Sequence, residues 1–201
     1  MSADTRLLYT GLVAAVAATR LLELRLARRN FGRTLARGGV EAGAGHYPWM
    51  MALHTAWLAA CPLEVWLLGR PFRPALAAVA LALLAGAMAL RWWVIATLGE
   101  RWTTRVVCLP GAEPVTGGPY RWLRHPNYLA VVVEVAALPL VHGAWLTALV
   151  ASGLNAWLLA VRIRAEEAAL AAAGDYQERL GALPRLLPRP GTLTRPGEEA
   201  P

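Results

Sequence analysis

The sequence predicts an all-α, polytopic membrane protein with about five transmembrane helices, the last two forming a C-terminal hairpin. Three observations carry this. Of 201 residues, 57% are hydrophobic and only 16% are charged, with mean hydropathy +0.40; a soluble domain of this size carries about a quarter charged residues. The apolar residues are blocked into long runs rather than spread. The basic residues, all arginine, sit at the ends of those runs and give a net charge of +7, as expected for membrane topology. That placement also argues against nucleic acid as the basic chain's partner.

The first apolar run covers residues 7–26 and closes on Arg20, Glu23 and Arg25. Its start after Arg6 could pass for a signal-peptide core. More apolar segments follow instead of a soluble domain, so it reads as the first membrane helix. The second and third runs cover 49–68 and 74–98, joined by "GRPFRP". The fourth and fifth, 128–141 and 144–163, are split by "LPLVHG". The fourth is short against the ~20 residues that span a bilayer, so a tight hairpin turning near Pro139 and Gly143 is expected. No strand pattern or internal repeat is evident. Residues 165–180 read as a further helix, interrupted at Gly174. These elements make one integral membrane unit, 1–183, followed by a proline-rich, disordered cytoplasmic tail, 184–201.

Arginine asymmetry orients the chain in a membrane, expected to be the bacterial cytoplasmic one. Arg28, Arg29, Arg33 and Arg37 follow the first run, Arg101, Arg105, Arg121 and Arg124 the third, and Arg164 the fifth. Alternation puts all three groups on the cytoplasmic face. Arg70 and Arg73 run against the rule, with Glu64 near enough to offset one. Cys61 and Cys108 form no CxxC and read as reduced thiols. The four histidines lack any tight ligand spacing, so no metal is expected. Gly43 and Gly45 follow no strand and make no dinucleotide loop. Oligomeric state stays open.

Ionisable groups inside membrane segments are costly and point to function by default. Asn155, Arg162 and Glu166, at i, i+7 and i+11, fall on one helical stripe. Glu134 stands alone in "VVVEVAAL"; it must be protonated, paired, or facing a polar cavity. A hydrogen bond to Asn155 across the hairpin is one solution and a substrate role is the other. Arg20 with Glu23 reads as an interfacial i, i+3 pair. Arg91, Trp92 and Trp93 read as an interfacial anchor, and residues 102–105 as a weaker site candidate.

The densest chemistry lies in "GGPYRWLRHPNYLA", residues 117–130. The turn at Gly117–Pro119 brings Tyr120, Arg121, Arg124, His125 and Tyr128 to the cytoplasmic mouth of the fourth helix. The hairpin returns Arg162, Glu166 and Glu167 to the same mouth. Cations, carboxylates and aromatic rings converge there. A ligand with a carboxylate, an ammonium, a diol and an aromatic base suits such a site, and S-adenosylmethionine has all four.

This stretch, followed by "RIRAEEAALAAAGDYQERL", resembles the isoprenylcysteine carboxyl methyltransferase family of integral membrane methyltransferases. The resemblance rests on Gly118, Tyr120, Arg124, His125, Pro126 and Tyr128, then Arg162 four residues before Glu166 and Glu167, then Tyr176. It implies an S-adenosylmethionine site within residues 98–180, between the hairpin and the C-terminal helix. It implies Tyr120, Arg124, His125, Tyr128, Arg162, Glu166 and Glu167 as cofactor-binding residues, and a lipophilic substrate entering from the bilayer lipids.

The segments "TRLLELRLARRN", "GAGHYPWMMALHTAWL" and "LGERWTTRV" look like a bacterial branch of that family associated with type III polyketide synthases. That implies O-methylation of a long-chain alkylresorcinol or alkylpyrone. A phenol or enol benefits from a base, whereas a carboxylate does not need one. Glu134, His54 and His46 are the candidate bases, with Arg162 beside them as a catalytic candidate. For His54, on an apolar helix, a packed histidine is the competing reading. Carboxyl methylation of a prenylcysteine-like lipid and a non-catalytic lipid-binding or scaffold role are the alternatives, and a nicotinamide-dependent reductase is a third.

Overall fold

The computed structural model describes residues 3–187. Its elements are α1 (Ala3–Ala36), β1 (Val40–Ala42), α2 (Tyr47–Leu67), α3 (Pro74–Leu98), β2 (Val106–Cys108), α4 (Pro126–Leu140), α5 (Trp145–Ala173) and α6 (Tyr176–Leu180). Among the described residues, α1, α2, α3 and α5 are long and apolar enough to cross a membrane, and α4 is a shorter apolar helix. The expected all-helical membrane architecture is what the chain adopts. The helices run up and down, so the ends of α1, α3 and α5 and the starts of α2 and α4 gather at one arginine-rich end.

α1 extends beyond the expected 7–26. Its 34 residues reach about 50 Å, against ~30 Å of hydrocarbon. The extra turns stay helical because they have something to pack on. Fully buried Asn30 donates from Nδ2 to the carbonyls of Gly99 (3.1 Å) and Trp102 (2.9 Å), tying α1 to the segment after α3. Exposed Arg33 and Arg37 pair with Glu100 at 2.7 and 2.9 Å. Beyond α1, β1 and β2 form an antiparallel pair with Val40 opposite Cys108 and Ala42 opposite Val106. No strand was expected here. Three residues are too few to show a period of two, and the pairing joins positions far apart in the chain.

The hairpin turns where expected. Pro139 lies inside α4 and cannot donate to the Val135 carbonyl one turn back. The indole N–H of buried Trp57, on α2, donates to that carbonyl instead, at 3.1 Å. Inside a bilayer, where no water can serve, such a replacement is needed. Gly143 closes the turn at φ +70°, and a Cβ there would sit 3.1 Å from the Pro71 carbonyl. α5 then starts against Glu64 of α2. That carboxylate accepts from the backbone N–H of Leu146 (3.2 Å) and Thr147 (2.6 Å) and from Arg70 Nε (2.7 Å). It therefore caps first-turn amides that have no partner within their own helix. Glu64 offsets Arg70 as the sequence suggested. α5 absorbs the start of the helix expected at 165–180 and stops before Gly174, the expected interruption.

Two expectations for charged residues are corrected. Arg91 is no interfacial anchor. It is 7% exposed, while Trp92 and Trp93 are 49% and 46% exposed, because α3 turns Arg91 inward. Nor does Glu134 bond to Asn155. Glu134 of α4 receives Arg91, through Nη2 and through Nε at 3.3 Å. Arg20 of α1 reaches Glu134 at 3.3 Å and Glu23 at 2.7 Å, and Arg91 lies 3.9 Å from Glu23. Two cations and two carboxylates alternate in a net-neutral cluster joining α1, α3 and α4. The Arg20–Glu23 pair exists as expected, but within this cluster.

Removing one partner from a buried ion pair costs about 3–5 kcal/mol, whereas replacing both with apolar groups is often neutral. Glu134→Ala is therefore expected to lower the thermal midpoint in detergent strongly. The double variant Arg91→Met with Glu134→Leu should recover most of the loss. Equal losses in the single and double variants would contradict this account.

Candidate active site

The site is built where the third apolar segment hands over to the fourth. Gly118 adopts φ +54°, and a Cβ there would collide with the Thr97 side chain of α3. Only glycine lets this turn lie so close to the helix, carrying Tyr120 inward. His125 precedes Pro126, the first residue of α4, and its carbonyl accepts from the Tyr128 and Leu129 amides at 3.1 and 3.2 Å. Proline suits that position because its missing N–H would have no helical partner there. The proline and the turn thus fix where the His125 and Tyr128 side chains project.

Those side chains meet α5. The Tyr128 hydroxyl donates to Glu166 and accepts from Arg162 Nε at 2.7 Å. Arg162 Nη2 donates to the Thr104 carbonyl at 2.7 Å. Arg162 and Glu166, four residues apart, are thus joined through the Tyr128 oxygen. The His125 ring stacks on Tyr128 with centroids 5.3 Å apart. Its Nε2 lies 3.0 Å from Glu167 Oε1. Glu167 also receives Arg124 Nη1 at 3.2 Å and Arg185 Nη2 at 2.6 Å.

These groups border a cavity of about 290 Å³, lined by Trp102, Tyr120, Arg124, Asn127, Arg162 and Glu166 among others. Small-molecule sites run from roughly 300 Å³ upward. Tyr176 of α6 closes one side. Among the described residues, Trp102 Nε1, Arg124 Nε, Asn127 Oδ1 and the Tyr176 hydroxyl are buried without a hydrogen-bond partner. Buried polar atoms are nearly always satisfied, so four such atoms on cavity-lining residues need partners from outside the protein, water or a polar ligand. Burial and the Glu166 carboxylate hold the Tyr120 phenol above its ordinary pKa, so it stays a neutral hydroxyl.

The structure brings Tyr120, Arg124, His125, Tyr128, Arg162 and Glu166 to the cavity, with Glu167 behind them holding His125 and Arg124. His46, just before α2, lies within electrostatic range of Arg162 and Glu166. Two candidate bases are placed elsewhere. Glu134 is consumed by the arginines of the buried cluster. His54 binds its own helix through Nδ1 to the Met50 carbonyl (2.8 Å) and packs edge-on against Trp57. Neither lines the cavity, and His46 is not among its lining residues either. Asn155 is buried away from it, so the polar stripe on α5 splits after Asn155.

Sequence reasoning underrated residues 102–105, where Trp102 lines the cavity and Thr104 holds Arg162. It missed Asn127, although the residue sits inside the quoted motif. It also missed Arg185, which fell in the expected tail. Residues 184–186 are docked on the site; the tail from 188 on lies outside the described residues.

The family model of the isoprenylcysteine carboxyl methyltransferase (ICMT) family matches residues 78–172. An uncharacterized protein of Bacillus subtilis (strain 168), YpbQ, is 35% identical over 159 residues, covering 79% of this chain and 94% of that protein. An uncharacterized protein of Haemophilus influenzae is 30% identical over 158 residues, covering 78% and 91%. The solved structure of the eukaryotic intramembrane Ras methyltransferase ICMT superposes with a TM-score of 0.50 at 22% identity. That match covers 66% of this chain and half of the eukaryotic protein, and speaks to the fold alone.

Cys108 provides a test of the cavity's electrostatics. Burial and the Glu166 carboxylate push its thiol up to about 11. At pH 7.5 it should carry roughly 300-fold less thiolate than an ordinary cysteine of pKa ~8.5. Intact-mass kinetics with iodoacetamide should show Cys108 resisting alkylation in folded protein and labelling after denaturation. Rapid labelling of the folded protein near neutral pH would contradict the geometry.

Proposed function

The chain belongs to the isoprenylcysteine carboxyl methyltransferase family, and from that membership we propose that it is an S-adenosylmethionine-dependent O-methyltransferase acting on a lipophilic acceptor held in the bilayer. The observation that carries the reading is the cavity wall. The guanidiniums of Arg124 and Arg162, the Glu166 carboxylate, and buried polar atoms of Trp102, Asn127 and Tyr176 that lack partners among the described residues converge on one small volume. Arg124 and Arg162 would hold the cofactor's carboxylate, Glu166 its ammonium, and Trp102, Tyr120 and Asn127 its base and diol. When bound, S-adenosylmethionine supplies an electrophilic methyl group on a sulfonium centre.

The chain's own residues have three tasks here. Tyr128 locks Arg162 and Glu166 at fixed separation, so the charges are set before any ligand arrives. Glu167 orients His125 and Arg124 from behind. His46, the candidate base within electrostatic range of Arg162 and Glu166, would take the proton released from an acceptor hydroxyl onto a ring nitrogen. With Glu134 committed to Arg91 and Arg20, His46 is the base we favour. The bacterial resemblance supports an alkylresorcinol or alkylpyrone acceptor, and the arginine pattern supports a cytoplasmic cofactor site.

Calorimetric titration of the detergent-purified protein with S-adenosylmethionine, and with NADPH as a control, tests the class. We expect selective binding of S-adenosylmethionine, weakened at least tenfold by Arg162→Ala or Glu166→Ala, and unchanged by Arg25→Ala on the exposed face of α1. No binding by folded protein would favour the scaffold role, and NADPH binding a reductase.

A single-turnover assay across polyketide phenols, pyrones and prenylcysteines tests the acceptor. His46→Ala should slow hydroxyl methylation by about 10²-fold while leaving cofactor affinity within about twofold. A variant that is fully active on phenols, or turnover confined to carboxylates, would sink the hydroxyl reading.

A further inference from the structure

Past α6 the chain doubles back over the site. The backbone N–H groups of Arg124 and His125 lie just ahead of α4 and have no helical acceptor. They donate to the carbonyls of Pro184 and Arg185, both at 3.0 Å. The Arg185 guanidinium grips Glu167 with two nitrogens, Nη2 at 2.6 Å from Oε2 and Nε at 3.0 Å from Oε1. Leu186 packs against the cluster of Tyr128, Leu159 and Ile163, beside Met50. Three consecutive residues therefore touch Arg124, His125, Tyr128 and Glu167, all on or directly behind the cavity wall.

We propose that residues 184–186 form a strap belonging to the active site, with Arg185 as the positioning residue that fixes the Glu167–His125–Arg124 unit. The proposal rests on reading the cavity as a cofactor site. The Glu167 side chain is 9% exposed and that of Arg185 55%, so Arg185 closes a buried carboxylate from the solvent side. Three groups share that carboxylate, and Arg185 is the one with a two-point hold. Without it, Glu167 has only Arg124 and His125 to satisfy it and can turn toward either. Arg124, which lines the cavity, also has a buried Nε without a partner among the described residues. Any shift of Arg124 toward Glu167 then withdraws a donor from the cavity. The geometry suits arginine in particular, because a planar fork grips both carboxylate oxygens where a lysine ammonium offers a point charge.

The test compares Arg185→Ala and Arg185→Lys with wild type in the full-length protein. In calorimetry with S-adenosylmethionine, alanine should weaken binding about tenfold and lysine about threefold. Thermal midpoints should stay within about 2 °C, as for an exposed side chain. In unliganded protein, hydrogen–deuterium exchange at the Arg124 and His125 amides should accelerate about tenfold in the alanine variant, while core amides of α2 stay protected. Wild-type affinity in the alanine variant would overturn the proposal. So would equal weakening by alanine and lysine with melting temperatures falling in step, which marks general packing. If wild type binds no S-adenosylmethionine, the reading of the cavity falls. Exchange then decides alone: acceleration confined to Arg124 and His125 keeps the strap as a positioning element, and unchanged exchange removes it.

Discussion

A charge placed among apolar helices must find an opposite charge, and this structure depends on how each one does so. An isolated ion in a medium of low dielectric costs far more than the few kcal/mol by which proteins are stable. Arg20, Glu23, Arg91 and Glu134 meet the constraint by alternating within one cluster. Each pair joins different helices except Arg20 with Glu23. Glu134 cannot move along α3 without losing Arg91, so the depth and rotation of α4 are set. Because α4 begins with His125 and Pro126, the same contact fixes where the site motif meets the arginine-rich end.

The far end of the bundle obeys the rule with different means. Glu64 takes a guanidinium and two helix amides, so the start of α5 is held against α2. Pro139 frees a carbonyl, and Trp57 supplies the donor. The turn between α4 and α5 is thereby held against α2, and α4 is held at the charged cluster as well. With α4 and α5 packed along each other, Arg162, Glu166 and Glu167 arrive opposite His125 and Tyr128 in register.

What the sequence revealed follows the range of each signal. Apolar runs and the Pro139–Gly143 turn are local, and they appear close to the expected places. The motif around His125 and the Arg162–Glu166–Glu167 spacing are also local, and they converge as drawn. Partners set by helix rotation were not legible. Nothing near Glu134 in the chain indicates Arg91, 43 positions away, because a lone carboxylate looks the same whether paired or free. The β1–β2 pair escaped because three-residue strands have no readable period. The strap at 184–186 escaped because proline and arginine give a tail-like composition whatever they touch.

Three glutamates show why composition alone misleads about the site. Glu134, Glu166 and Glu167 all lie on apolar or partly apolar helices, and each could be read as functional. Glu134 is taken up by guanidiniums from two other helices and lines no cavity. Glu167 is taken up by Arg124, His125 and Arg185, and acts on the cavity only through them. Glu166 accepts from Tyr128 and still faces the cavity with part of its side chain exposed. A buried ion shows that a fold has met an electrostatic demand. A binding site needs something further, namely polar atoms that the fold has buried at a cavity wall without supplying partners. Among the described residues, Trp102, Arg124, Asn127 and Tyr176 meet that criterion beside Glu166, at the mouth of α4, whereas Glu134 in the middle of the bundle has its charge answered by Arg20 and Arg91 and faces no such wall.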